Sequence, residues 1–292
     1  MTRIQALTLS LFAMAAPLPA LAQGAPPTVV IATGGEGERY NRLCASDPGG
    51  IRKQMDRSAN VECKVTGGSY ENADLLDAGQ VDAALLQANV KPFWEEVNKR
   101  MLPIDILGET HKEVAQLACL DGLGVGDLDD LASNEDVVLA IGGDNSGHQV
   151  TWSQMVAVKP ELINVKVAKI NGDEAVLKIL DGSEINCLFQ MAGIGGRNMM
   201  NIDEISDGQI SLVETWDDAF LQIRDAKGKS LFSKTRIESG TYPNIQHGVF
   251  SSSHDAAAVA ALFVVTKKFS EKSPRTGQQL RDSAKAAVAQ IR

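Results

Sequence analysis

The chain has 292 residues, 44% hydrophobic and 22% charged, the balance of a globular protein with room for one large or two ordinary domains. Its formal net charge of -9 argues against general nucleic-acid binding, which needs a basic footprint. Its apolar runs are all too short to cross a bilayer as a helix.

Residues 1–22 read as a secretory signal peptide. Arg3 supplies the positive start, 4–16 is a short apolar stretch, and Pro17 and Pro19 break any helix before the small-residue site Ala20-Leu21-Ala22. The residue after that site is Gln23, not cysteine, so a lipid anchor is not indicated there. Export permits disulfides, and the chain carries four cysteines, Cys44, Cys63, Cys119 and Cys187. Their spacing contains no C-x-x-C, which weakens a zinc or thioredoxin-like reading.

Residues 29–33 form a β-branched strand that runs into the glycines Gly34, Gly35 and Gly37. A helix over 40–44 follows, the sequence Asp47-Pro48-Gly49-Gly50 interrupts it, and 51–58 is helical again. Residues 61–65 read as a second strand. Gly67-Gly68 turns the chain, Ser69 is placed to cap, and a helix from Asn72 ends at Gly79. Strand 81–86 completes a strand–helix–strand–helix–strand series, which implies a parallel sheet with right-handed crossovers. Cys44 and Cys63 fall on the first helix and second strand of this unit, side by side, and are expected to be bonded. The pairing of Cys119 and Cys187 stays open, since one of them lies near the expected hinge.

An amphipathic helix is expected over 90–101 with Phe93, Trp94 and Val97 inward, then strands at 104–107 and 114–120, the latter crossing between lobes. One helical turn at 128–131 precedes a second opening at Val137. The expected order after it is helix 148–158, strand 162–170, helix 174–180, strand 185–190 and a loop over 191–198. A short strand at 210–214, an irregular extended stretch at 232–243, an apolar strand at 259–265 and a terminal helix at 278–291 close the chain.

The opening motif is echoed. VVLAIGGDNSGH (137–148) repeats the apolar strand, Gly-Gly turn and helix start, and LLDAGQVDAALLQA (75–88) aligns without a gap on ILDGSEINCLFQMA (179–192). Two similar α/β lobes are expected, each a mainly parallel sheet flanked by helices, with hinge strands between. Lobe 1 is assigned 23–118 plus 256–292 and lobe 2 119–255.

The glycine turns carry the chemistry. GGEGERY lacks the Lys-Ser/Thr of a P-loop, and Tyr40 stands where a dinucleotide fingerprint needs its third glycine. Turns at Gly34-Gly35, Gly67-Gly68 and Gly142-Gly143 instead sit where open α/β sheets bind ligands, at the carboxyl ends of strands. Helix starts over them favour an anion. Arg39 and Arg197 are the candidate clamps for a carboxylate, each equally readable as a solvated arginine. Ser69, Ser146 and His148 either cap helices or face the ligand. Gln87 ends a buried strand and must find partners. Tyr40, Trp152, Trp216 and Tyr242 are candidate cleft walls, with core packing the blander role for each. Catalytic signatures are missing: there is no G-x-S-x-G, and His111, His148, His247 and His254 form no H-E-x-x-H. The run from Ser251 to Asp255 reads as a cap rather than a nucleophile cluster.

IATGGEGERY, VTGGSYEN and LLDAGQVDAALLQANV resemble the TAXI-type solute-binding proteins of TRAP transporters, and AIGGDNSGH and SGTYPN resemble their second-lobe segments. The resemblance implies a type II periplasmic-binding-protein fold, a periplasmic monomer without cofactor or metal, capture of a small carboxylate such as glutamate or an organic acid, and delivery to the transporter's membrane subunits. It places Thr33, Gly34, Gly35, Tyr40, Ser69, Gln87, Ser146, Gly147 and His148 at the cleft, and Arg39, Gly68, Asn145 and Ala192 join them as ligand-binding candidates. The chain departs from the usual motif at Glu38-Arg39-Tyr40-Asn41 and at His148, so the ligand is not to be copied from relatives. Two rivals remain at this point: a secreted enzyme on a similar fold, which needs an acid–base pair, and a sensor module that presents ligand to a membrane receptor.

Overall fold

Alternating burial organises the first half. The computed structural model describes residues 26–170, 172–247 and 252–291. Strand β1 (Thr28–Ala32) is followed by helices α1 (Arg39–Ala45) and α2 (Ile51–Met55), strand β2 (Asn60–Lys64), helix α3 (Ser69–Asp77), strand β3 (Ala83–Gln87) and helix α4 (Val90–Asn98). Then comes β4, Ile104–Leu120. Next are α5 (Leu128–Ser133), β5 (Val138–Ala140), α6 (Gly147–Val158), β6 (Lys166–Ala168), α7 (Gly172–Leu180), β7 (Cys187–Ala192) and α8 (Arg197–Ile205). Strands β8 (Ile210–Val213), β9 (Phe232–Ile237) and β10 (His254–Thr266) and helices α9 (Lys267–Lys272) and α10 (Pro274–Gln290) complete the chain.

The strands join in the order β2-β1-β3-β10-β4-β7-β5-β6, with β8 on β4 and β9 on β10. Strands β1, β2 and β3 pair in parallel, and so do β5, β6 and β7. Each parallel set is one lobe. Between them β4 and β10 run antiparallel to each other, from Ile104 opposite Thr266 to Val114 opposite Ala258. Beyond the ribbon β10 pairs with β3 of lobe 1 and with β9, and β4 pairs with β7 and β8 of lobe 2. The hinge is therefore a two-stranded ribbon.

All five residues of β3 are buried because helices cover both faces of its sheet. On one face Val29, Ile31, Leu85 and Phe263 pack with Leu43, Met55 and Leu280 of the helices. On the other Leu86 and Val264 meet Leu76 and Trp94. Lobe 2 repeats the plan, with Leu139, Trp152 and Phe189 on one side and Leu188, Ile179 and Ile202 on the other. Val150 of α6 belongs to the lobe 1 cluster around Leu86 and Trp94, so the two lobes share apolar contact.

Several expectations change. The segments 104–107 and 114–120 are one continuous strand, since the polar stretch between them pairs with β10 and needs burial on one face only. Helix α4 buries Val90 and Trp94 but stops at Asn98, and Val97 is 54% exposed. Strand 162–170 shrinks to β6, because Pro160 opens a 3-10 turn over Pro160–Asn164. Helix α8 starts inside the expected loop 191–198, and the terminal helix begins earlier than expected, at Pro274, with the short α9 ahead of it. Ser69 does not cap α3: Gly68, at φ 130, holds the N-cap, and Asn72 instead donates to the carbonyls of Thr33 and Leu85. Cys44 is bonded to Cys63, tying α1 to β2. Cys119 is bonded to Cys187, its direct partner across β4 and β7. The signal-peptide segment 1–22 lies outside the described residues, in which no helix is long and apolar enough to cross a membrane.

Candidate functional site: a cavity between the lobes

A cavity of about 390 Å³ lies where the two lobes meet. Lobe 1 contributes the turn after β1, the start of α3 and the end of β3; lobe 2 contributes the starts of α6 and α8 and the loop between β7 and α8. Glu113 reaches it from β4, the shared ribbon.

Three helices of nine residues or more begin at its wall: α3 behind Gly68, α6 behind Ser146 and α8 behind Gly196. Their first-turn N–H groups have no partner within the helix, and their dipoles favour negative charge. Ser146 caps α6, its Oγ accepting from Gln149 N at 3.2 Å and donating to Gly143 O at 2.7 Å. The turn before α8 is held from below: Gly195 N donates to Tyr242 Oη at 2.7 Å, and that hydroxyl donates to Gln116 Oε1.

Arg39, Arg42 and Arg197 line the cavity. None of the three guanidiniums makes a hydrogen bond or ion pair with the described residues, and Nε of Arg39 and of Arg42 is fully buried. Burial, and then Arg42 beside it, lower the Arg39 pKa, while Glu113 raises it. Arg39 and Arg197 reach across in opposite directions: a Cβ on Gly193 would lie 3.1 Å from Arg39 Nη1, and one on Gly37 3.1 Å from Arg197 Nη1. Such forks are suited to a carboxylate.

Glu113 is 6% exposed, and its Oε2 accepts from Gln87 Nε2 at 2.6 Å. Gln87 Oε1 in turn accepts from Thr151 Oγ1 of α6 at 3.2 Å, so this amide bridges the lobes. The Tyr40 hydroxyl is buried beside Ser69 and Glu113, and burial, reinforced by Glu113, keeps it protonated by raising its pKa well above the ordinary value. His148 Nδ1 accepts from Met191 N at 2.9 Å, which leaves the proton of a neutral ring on Nε2. Burial lowers the His148 pKa, against the pull of Glu38 and Glu113.

The lobes are closed on each other. Asn89 Nδ2 donates to Thr151 Oγ1 at 2.9 Å and to Gln154 Oε1 at 2.8 Å, and Glu71 N donates to Asn145 O at 3.3 Å. Asn198 Nδ2 donates to Glu38 Oε1 at 3.4 Å on the far side of the cavity.

Most of the expected ligand residues meet here. Gly34, Gly35, Arg39, Tyr40, Gly68 and Ser69 line the cavity from lobe 1 together with Gln87, and Ser146, Gly147, His148 and Ala192 from lobe 2. Thr33 does not, because its hydroxyl turns inward to Lys64 O at 2.9 Å. Asn145 does not line it either; its carbonyl spans the lobes. The Gly142-Gly143 turn stands behind the wall, and Ser146-Gly147 is what reaches the cavity. Trp152 is core, Trp216 packs against the same cluster, and Tyr242 supports the 193–196 loop from beneath. Glu38, named in the sequence only as a departure from the motif, also lines the cavity, and sequence reasoning missed Arg42, Glu113 and 193–196. The last carried a usable signal, since Gly193, Gly195 and Gly196 between a strand and Arg197 repeat the pattern of the first turn.

The Ser251–Asp255 run holds no triad among the described residues. Asp255 is taken by Lys234 at 2.6 Å and Arg236 at 3.1 Å, His254 lies beside Gln246, and Ser251 falls outside the described residues. Among the described residues no three His, Cys, Asp or Glu side chains are grouped to hold a metal.

The profile of the NMT1-like family matches residues 31–273. The chain belongs to that family. No curated protein matches this NMT1-like chain by sequence. Among solved structures it is similar to the periplasmic aliphatic sulphonate binding protein SsuA from Escherichia coli, at 10% identity and a TM-score of 0.51, covering 91% of this chain and 74% of that one. It is similar to an ancestral arginine-binding protein bound to arginine, at 14% identity and TM-score 0.52 over 90% and 96% of the two chains. It also resembles the GluR0 ligand-binding core in complex with L-glutamate, at 10% identity and TM-score 0.50 over 92% and 97%. The NMT1-like chain thus has the two-lobed fold of periplasmic solute-binding proteins.

Proposed function

We propose that this protein is the extracytoplasmic solute receptor of a TRAP transporter of the TAXI type. It captures a small carboxylate between lobe 1 (23–118 plus 256–292) and lobe 2 (119–255), and the closed form is what membrane subunits recognise. One observation carries the reading: three arginines with free guanidinium donors and three helix N-termini converge on one cavity between the lobes. A carboxylate there gains charge-assisted hydrogen bonds, each worth about 1.5–3 kcal/mol. The signal-peptide pattern of 1–22 and the periplasmic neighbours in fold support export to the periplasm. The proposed ligand contacts are the cavity-lining members of the candidate set, with Arg39 and Arg197 as the anion clamps.

Native mass spectrometry of freshly purified protein, followed by calorimetry with small carboxylates, tests the assignment. The expected result is a bound anion released intact on denaturation and rebound by the emptied protein. Chemical conversion of that compound during incubation would replace the receptor with an enzyme.

A further inference from the structure

The cavity is not of one sign. Glu113, a carboxylate 6% exposed on the ribbon between the lobes, shares the wall with the guanidiniums, near enough for its charge to act on Arg39. A buried carboxylate is costly unless a cation or several donors compensate it. The groups set against it are neutral, the Gln87 amide that donates to it at 2.6 Å and the Tyr40 hydroxyl. Its one ion-pairing neighbour among the described residues is His111 Nε2, 3.5 Å from Oε1, which lacks hydrogen-bond geometry. No lysine or arginine nitrogen of the described residues comes within 4.0 Å. Beside it lies the buried Tyr40 hydroxyl, which faces Glu113 and Ser69 and brings a second oxygen to the same corner of the cavity. With His148 neutral, three arginines face two glutamates, Glu38 and Glu113, around the wall.

We propose that Glu113, with Tyr40 beside it, seats a cationic nitrogen of the ligand while Arg39 and Arg197 hold its carboxylate. The captured solute is then an amino acid rather than a simple organic acid. The inference rests on the carboxylate-receptor reading above and narrows it. The two poles are built on different parts of the molecule: the cation seat on the ribbon strand, the anion clamps on helix starts of both lobes. A zwitterion lying between them satisfies both at once. A dicarboxylate satisfies the clamps and sets a second negative charge against Glu113.

The test is a thermal-shift screen followed by calorimetry, using the proteinogenic L-amino acids, each paired with its desamino acid. The expected result is that at least one amino acid binds the parent tenfold or more tighter than its desamino partner. Glu113→Gln, which keeps the side chain's shape, is expected to erase that preference by weakening the amino acid at least tenfold while the desamino acid binds no worse than before. Desamino acids that bind the parent as tightly as their amino acids would overturn the inference and would leave the receptor reading standing. A preference that survives in Glu113→Gln would remove Glu113 as the seat. Binding of neither series would sink both readings. The comparison on the parent alone decides the ligand class even if the variant does not fold.

Discussion

Gly147→Ala is expected to weaken ligand binding while leaving the unliganded protein at least as stable as the parent. A Cβ on Gly147 would lie 2.6 Å from Cδ, Nε2 and Oε1 of Gln87, where ordinary contact begins at 3.4 Å. The Gln87 amide cannot swing aside cheaply, because Glu113 holds one end at 2.6 Å and Thr151 the other at 3.2 Å. Gly147 belongs to lobe 2 and Gln87 to lobe 1, so the clash exists only when the lobes are shut. Overpacking of this kind costs about 1–3 kcal/mol, a loss of roughly 5- to 140-fold in affinity at about 1.4 kcal/mol per decade. Within its own helix alanine is better than glycine by up to about 1 kcal/mol. The two effects therefore have opposite signs. Calorimetric titration of ligand reads the first, and melting of ligand-free protein reads the second. Small-angle scattering with saturating ligand should show a more open particle than the parent. Parent-like affinity in the variant would refute the reasoning, since the depth of closure described here would then play no part in binding.

Arg39→Ala should weaken binding at least tenfold with little change in the unliganded melting temperature, and Arg39→Lys should recover only part of the loss, because lysine lacks the planar fork; equal affinity in Arg39→Ala would return that side chain to the role of a solvated arginine. Replacing Cys44 and Cys63 by alanine should cost about 3 kcal/mol for a sequence separation of 19, and replacing Cys119 and Cys187 about 4 kcal/mol for a separation of 68, by the chain-entropy relation. Denaturant midpoints measure both, and an unchanged midpoint in either pair would show that the bond does not constrain the unfolded chain. Burial holds His148 below the ordinary 6.5, so below that pH the unfolded chain takes up the proton first. The stability contributed by neutral His148 is complete above 6.5 and is lost as pH falls from there through the folded-state value. His148→Asn should flatten the fall in stability between about pH 7 and pH 5, and an equally steep profile would assign the slope to other groups, His254 among them.

The first lobe was readable because its signals are local. Val29, Val30 and Ile31 form a β-branched apolar run, Gly68 needs a positive φ, and Ala83–Gln87 is apolar enough for a strand covered on both faces. The ribbon was not readable, because 108–113 is polar and only pairing with β10, far along the chain, makes it a strand. Glu113 was hidden for the same reason. A glutamate before Val114 looks solvated until Gln87 and Tyr40 are brought over it. Arg39 was found from its turn alone, whereas Arg42, one helical turn on, looked like an ordinary surface cation.

The position of β10 sets the order in which the molecule can be completed. Strands β3 and β4 follow each other in sequence, yet both are hydrogen-bonded to β10 rather than to each other. A growing chain that has not reached His254 therefore leaves two strand edges of lobe 1 open, and it still lacks Leu280, Ala284 and Ala287, which cover the core beside Val29. Lobe 1 begins first and is finished last, after all of lobe 2 has been made. A fragment cut before residue 254 lacks the strand that joins β3 to β4 and so cannot complete the first lobe's sheet, and the two halves cannot be separated by a single cut.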